Sequence, residues 1–455
     1  MQSCDTLVIN KSCSVYGQNI LAKNSDRPTG EPQPLCYYEG KEYPEGEMLH
    51  TTYLDIPQVK KTYAVVGSRP YWIWGFEMGY NEMGLIIGNE AEWSRMDAET
   101  EDGLLGMDLL RLGLERAATA REAIEVITAL LKQYGQKASA SKLKTRYYEN
   151  SFILADKDEC WVLETAGREW VAREVKDKAG VSNCYSIGKE FDMASENLEK
   201  IAREKRWLSP GEDFDFAKAY TGHVTNLSGG TQRYRRSNKL LAENDIHDFS
   251  TLAAILRDHH EDELISPRFG ATNATFASLC MHAGEWGSSE TSASLLARYD
   301  EDLGIIARYA PAQACLSAYI PVYMNDLPEK MQTADRKFDK NSLWWQLKRL
   351  ALLVSVDEER FGCNVRRELA NLEQHFEDFA AKGEKLAKNL IKDGKSDDAK
   401  EVLETVTHSC TMRLYYLALR ESDRIAEIIV EDGGLYGRQK ETIEKYIEYS
   451  EIELL

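Results

Sequence analysis

The sequence predicts a layered α+β fold with a C-terminal helical appendage, and three features carry that expectation. Short β-branched and apolar segments separated by tight turns fill the first third; a helical pair interrupts them between Leu104 and Leu130; beyond about Asp339 only long amphipathic runs remain. Strand groups separated by helix pairs are the pattern of sheets covered by helical layers.

Strands are expected at 6–10 and 20–24 around a polar turn at Gly17, and again at 62–66 and 84–88. Leu104, Met107, Leu110, Leu114, Ala117, Ala123, Ile127 and Leu130 recur at helical spacing across a break near Thr119, which predicts two consecutive helices. Segments 151–155, 161–165, 170–175 and 182–187 read as a β-meander. Helical stretches at 233–243 and 249–259 lead into strands at 274–282, 292–299 and 314–323. Amphipathic runs at 343–356, 366–393, 396–421 and 439–449 then form the tail. The expected division is a first domain over 1–335 and a helical region over 336–455, the latter serving packing or self-association into a homo-oligomer.

Composition narrows the function classes. Apolar residues make up 43% of the 455 and charged residues 29%, the balance of a folded globular chain. A formal charge of −19 repels phosphate backbones and anionic lipid, so neither nucleic acid nor membrane is expected as a partner. The opening residues lack the basic flank and apolar stretch of a signal peptide, and a cytoplasmic location is expected. Nine cysteines without CxxC pairs fit reduced thiols better than a disulfide frame or a zinc site. His259 and His260 stand beside Glu261, Asp262 and Glu263, but adjacent side chains at a helix end diverge, so no metal and no cofactor is expected. Zinc-peptidase, serine-elbow, Walker and dinucleotide motifs are absent from the sequence.

Cys4, three residues from the start and followed at once by a strand-like Thr6-Leu7-Val8-Ile9, is an unusual place for a structural thiol. The opening hairpin would return Lys23-Asn24-Ser25-Asp26-Arg27-Pro28 to it, bringing a thiol, an ammonium and a carboxylate together. The competing reading of that cluster is a surface turn capped by Asn24 and Asp26.

These residues resemble the secernins and the related cysteine dipeptidases of peptidase family C69. The resemblance rests on Cys4-Asp5-Thr6, Lys23-Asn24-Ser25-Asp26-Arg27, Thr62-Tyr63-Ala64-Val65-Val66, Ser68-Arg69-Pro70 with Trp72 and Trp74, and Asn81-Glu82. It continues through Gly88-Asn89-Glu90-Ala91, Leu105-Gly106-Met107-Asp108, Asn150-Ser151-Phe152 and Leu163-Glu164-Thr165-Ala166-Gly167.

What the resemblance implies is an N-terminal-nucleophile αββα sandwich whose catalytic residue is the first residue of the mature chain. Its own α-amine, with a reference pKa of about 7.7–8.0, then acts as general base. Cys4 would be that nucleophile and Asp26 would orient its amine. Lys23 would stand where the related penicillin and bile-salt amidases carry an arginine. Asn89 and Asn183 would donate to the oxyanion, with Arg233 as a supporting cation and Arg235 or Arg236 as alternatives. The expected activity is a dipeptidase acting on small peptides; an amidase of N-acyl amino acids and a non-hydrolytic secernin-like scaffold are the alternatives. One departure carries weight: Met1-Gln2-Ser3 precede Cys4, so the scheme requires the Ser3–Cys4 bond to be cut.

Overall fold

The computed structural model describes residues 3–97, 99, 101–142, 145–262, 278–437 and 439–455, with backbone alone at 226 and 227. The opening hairpin forms because Thr6-Leu7-Val8-Ile9 and Ile20-Leu21-Ala22 are apolar and β-branched around a turn where Gly17 takes φ +65°. Its strands are β1 (Cys4–Ile9) and β2 (Ile20–Pro28). Next come β3 (Leu35–Tyr38), a small β4 (Met48–His50) and β5 (Asp55–Pro57) ribbon, β6 (Val65–Ser68), β7 (Met78–Asn81) and β8 (Ile86–Glu92). Helices α1 (Gly106–Arg116) and α2 (Ala120–Tyr134) follow, the second capped by Thr119, whose side chain accepts from Glu122 N.

The meander is β9 (Glu149–Ala155), β10 (Cys160–Ala166) and β11 (Glu169–Glu174), then β12 (Lys178–Ser182) and the short β13 (Met193–Ala194). Helices α3 (Leu198–Glu204), α4 (Phe216–Tyr220), α5 (Gly230–Ala242) and α6 (Phe249–Leu256) lead to β14 (Ser289–Asp300), β15 (Gly304–Pro311) and β16 (Ile320–Tyr323). The tail is α7 (Glu329–Gln332), α8 (Leu343–Val356), α9 (Glu358–Lys392), α10 (Ser396–Glu431) and α11 (Lys440–Ser450).

Two antiparallel sheets stack on one another. One has six strands in the order β12-β1-β2-β14-β15-β16, the other eight in the order β13-β11-β10-β9-β8-β7-β6-β3. Period-two alternation shows the layering directly. On β9 and β10, Ile153, Ala155, Cys160 and Val162 join the core between the sheets, whereas Phe152, Leu154, Trp161 and Leu163 join the core under α1 and α2. The outer face of the six-stranded sheet is covered by α5 and α6 at one side and by α8, α9 and α10 at β15 and β16. The result is the αββα sandwich. Tail side chains also reach β14, where Lys348 Nζ pairs with Glu290 Oε1 at 2.6 Å and the Tyr446 hydroxyl donates to the same oxygen. No helix of the described residues is long and apolar enough to cross a membrane.

Several local expectations are corrected. The strand expected at 20–24 runs on to Pro28 between two partner strands, so the polar cluster 23–28 is buried within β2 and the competing surface-turn reading does not hold. The expected strand at 182–187 is replaced by β12, which ends at Ser182. At 314–323 a 3₁₀ turn over Ala314–Leu316 precedes β16. Strand β15 has no counterpart among the strands expected from the sequence. Of the strand expected at 274–282, positions 274–277 lie outside the described residues, as does Glu263, and 278–282 contain no strand.

Candidate active site

The register of the hairpin builds the site. Cys4 pairs with Ser25, Asp5 with Asn24 and Thr6 with Lys23 across β1 and β2. Alternation therefore turns Cys4, Thr6, Lys23 and Ser25 toward the other sheet, and Asp5 and Asn24 toward α5 and α6. Thr6 Oγ1 accordingly donates to Glu90 Oε1 on β8, and Asn24 Nδ2 donates to the carbonyls of Leu256 and Leu279 at 2.7 and 2.8 Å.

Lys23 crosses the gap between the sheets. Its Nζ donates to the Asn89 carbonyl at 2.6 Å and pairs with Glu90 Oε1 at 3.4 Å, with both side chains fully buried. Gly88 makes the crossing feasible: a Cβ there would stand 2.7 Å from Lys23 Cδ. The ammonium also favours a Cys4 thiolate, yet burial dominates and, with the nearby carboxylates, pushes the thiol well above its ordinary value.

Around the Cys4 nitrogen the contacts are specific. The peptide N–H donates to Asn183 Oδ1 at 2.9 Å, and the same oxygen takes Arg233 Nη2 at 2.5 Å. Arg233, from α5, also donates to Asp5 Oδ2 at 2.9 Å and to the Ser228 carbonyl at 3.1 Å. It is thus Arg233 that reaches the site; Arg236 pairs with Asp258 and Asp262. The Asp26 backbone N–H lies 3.5 Å from Cys4 Sγ and donates to it. The Asp26 carboxylate is shared between the Thr291 hydroxyl at 2.7 Å and the Ser3 hydroxyl at 2.9 Å.

Three expectations change in detail. Asp26 was expected to orient the Cys4 amine; with residue 3 still attached it takes the Ser3 side chain, and Asn183 takes the nitrogen. Asn183 was expected to donate; here its oxygen faces Cys4 and its Nδ2 donates to the Ala91 carbonyl at 2.8 Å, an orientation fixed by Arg233. The Asn89 side chain, expected to donate to the oxyanion, lies against Asn150 and Glu77, while its carbonyl holds Lys23.

Charge is concentrated here. Burial, reinforced by the charge of Asp5 and opposed by Arg233, pushes Asp26 up to about 7. Burial likewise pushes Glu90 up to about 8 against the pull of Lys23, and Asp5 up to about 6 against that of Arg233. A carboxylate-rich pocket of this kind stabilises an added cation, and an α-ammonium on Cys4 would be one. Asp5, Glu90 and Thr291 went unmarked as site residues; Asp5 had a signal in its adjacency to Cys4, whereas Thr291 lies 265 positions from Asp26 and had none.

The αββα layers define the fold class of the N-terminal-nucleophile hydrolases. Within it the chain belongs to peptidase family C69, whose model matches residues 3–229. A dipeptidase of Bifidobacterium longum (strain NCC 2705) is 28% identical over 218 residues, 42% of this chain and 39% of that protein. A probable dipeptidase A of Streptococcus pyogenes serotype M18 (strain MGAS8232) is 26% identical over 201 residues, 41% of this chain and 40% of that protein. The chain thus spans about two fifths of the length of these curated relatives. Among solved structures, a mutant conjugated bile acid hydrolase from Clostridium perfringens is 14% identical with a TM-score of 0.42, covering 74% of this chain and 95% of its own. A Caenorhabditis elegans N-acylethanolamine-hydrolyzing acid amidase ortholog is 11% identical with a TM-score of 0.31, covering 58% and 90%.

Proposed function

We propose that this chain is a cysteine dipeptidase that hydrolyses small peptides through a thioester on Cys4 once the Ser3–Cys4 bond has been cut. The observation that carries the proposal is the convergence on Cys4 of Asn183 at its nitrogen, the Asp26 N–H at its sulfur and the Lys23 ammonium, all on fully buried scaffolding. The matched dipeptidases support the substrate class.

Maturation would use the same thiol. Cys4 Sγ attacks the Ser3 carbonyl carbon, the C–N bond breaks, and the thiol proton passes to the departing nitrogen, which becomes the Cys4 α-amine. Water then hydrolyses the thioester, restoring the thiol and releasing residues 1–3 with a Ser3 carboxylate. With Ser3 gone, Asp26 loses that hydroxyl and is free to hold the new α-ammonium.

In turnover the free amine takes the thiol proton, Cys4 attacks the scissile carbonyl, and the amine returns the proton to the leaving group. Lys23 would favour the thiolate, Arg233 would hold Asn183 at the Cys4 nitrogen, and Asn183 and Asn89 would donate to the oxyanion only on turning from the Ala91 carbonyl and from Asn150 and Glu77 respectively. The scheme uses no cofactor. The proposed substrates are small cytoplasmic peptides, and the charge of −19 argues against nucleic-acid or anionic-membrane partners. Exposed Phe379, Leu386, Tyr416 and Val430 support the tail as a self-association surface.

The test is dipeptide hydrolysis by the full chain and by Cys4→Ala, with circular dichroism to confirm folding. Hydrolysis should vanish in the variant while the spectrum is unchanged; full activity in Cys4→Ala would overturn the proposal.

A further inference from the structure

We infer that His259, Cys280, His282 and Cys315 form a structural binding site for one zinc ion, separate from Cys4. All four are buried, and one ligand atom from each lies within 4.8 Å of the others. His282 Nε2 is central, 3.0 Å from His259 Nε2, 3.2 Å from Cys315 Sγ and 3.9 Å from Cys280 Sγ.

These separations match a tetrahedral ion. Zn–N bonds of about 2.0–2.1 Å and Zn–S bonds of about 2.3 Å, at tetrahedral angles, put nitrogens about 3.3 Å apart, and nitrogen and sulfur about 3.6 Å apart. A set of two thiolates and two imidazoles with tetrahedral geometry selects zinc among the abundant divalent ions, and four protein ligands leave no open position, which makes the site structural. His259 carries the usual supporting contact: its Nδ1 lies 3.1 Å from Glu261 Oε1, leaving Nε2 as the metal-facing atom.

The fold explains why the sequence hid this. Helix α6 ends at Leu256, so His259 stands beyond the helix, and His260, at φ 63°, turns the chain away after it. No metal was expected at His259 and His260, yet His259 finds its partners not in its neighbour but in Cys280, His282 and Cys315. Cys280 and His282 precede β14, and Cys315 sits in the 3₁₀ turn after β15, so no CxxC spacing marks the set.

The ion would join the end of α6, the 278–283 segment and the turn after β15. Met281, between two of the ligands, donates its N–H to Thr291 Oγ1 at 2.9 Å, and its sulfur lies 2.9 Å from the Ser3 hydroxyl oxygen. The site would thereby brace the segment that borders Asp26.

The experiment measures zinc in the full chain, purified under reducing conditions and dialysed against metal-free buffer, beside the double variant Cys280→Ser, Cys315→Ser. About one zinc per chain is expected in the wild type and less than about a tenth of that in the double variant. Because the variant could misfold, the wild type is also stripped and titrated with cobalt chloride. One equivalent should give the intense visible bands and sulfur-to-metal charge transfer of a tetrahedral cobalt thiolate. A wild type that takes up neither ion, cobalt binding without charge-transfer bands, or a Cys280–Cys315 disulfide in the reduced preparation would overturn the assignment.

Discussion

Asn183 Oδ1 accepts from the Cys4 peptide nitrogen at 2.9 Å and from Arg233 Nη2 at 2.5 Å, so one amide oxygen links the proposed nucleophile to an arginine more than two hundred positions away. Asn183→Ala leaves both donors buried without that partner. The expected outcome is a stability loss of about 1–3 kcal/mol from the unpaired groups, with kcat lower by roughly 10²–10³ if the side chain turns to face the oxyanion in turnover. Denaturant melts and steady-state kinetics separate the two; a loss confined to KM would make Asn183 a substrate-binding residue.

Asp26→Asn should lower kcat far more than it raises KM, because the charge that would hold the α-ammonium is gone while Thr291 can still donate to the amide oxygen. In a Cys4→Ala background, which keeps residues 1–3, the same change should not reduce stability at pH 8. Burial and Asp5 push the carboxyl up to about 7, so its ionised form is disfavoured in the folded chain. A lower melting temperature with normal kcat would leave Asp26 a purely structural role within β2.

Glu90 gives a pH signature. Its folded value, raised by burial to about 8 from an ordinary 4.5, means that the folded chain binds the proton more tightly than the unfolded chain. That contribution to stability is complete below pH 4.5 and is lost as pH rises through about 8. In the Cys4→Ala background, Glu90→Gln should therefore lose less stability between pH 5 and pH 8 than its parent, measured by denaturant midpoints. Lys23→Met should show the opposite bias: it removes the buried partner of Glu90, costs roughly 3–5 kcal/mol where Glu90 is ionised, and costs less at pH 5. Parallel pH profiles in all three would show that Glu90 does not titrate in this range.

Local pattern made the hairpin legible: Thr6 to Ile9, the turn at Gly17 and the apolar Ile20-Leu21-Ala22 fix a register that brings Lys23 and Ser25 to Cys4. The helix pair broken at Thr119 was legible for the same reason, since its cap and period are local. What pairing across the chain decides was not. Asp26 meets Thr291, Asn183 meets Arg233 and His259 meets Cys315 only because β14, α5 and the turn after β15 are placed by the two sheets. The direction of the Asn183 amide is set by Arg233, and no spacing in the sequence encodes it. Strand β15 escaped because its short apolar run, Ile305 to Ala307, lacks alternation and follows the acidic turn at Asp300 closely.

The central claim is that activity requires the free α-amine of Cys4, which in the uncut chain is a peptide nitrogen bonded to Asn183 and unable to take a proton. Ser3→Pro blocks cleavage while leaving the thiol in place. Intact mass of this variant and of the wild type, measured on the same samples assayed for dipeptide hydrolysis, tests the claim most directly. The wild type should lack residues 1–3 and turn over substrate, and the variant should retain them and be inactive; comparable turnover by a chain that still carries residues 1–3 would contradict the account.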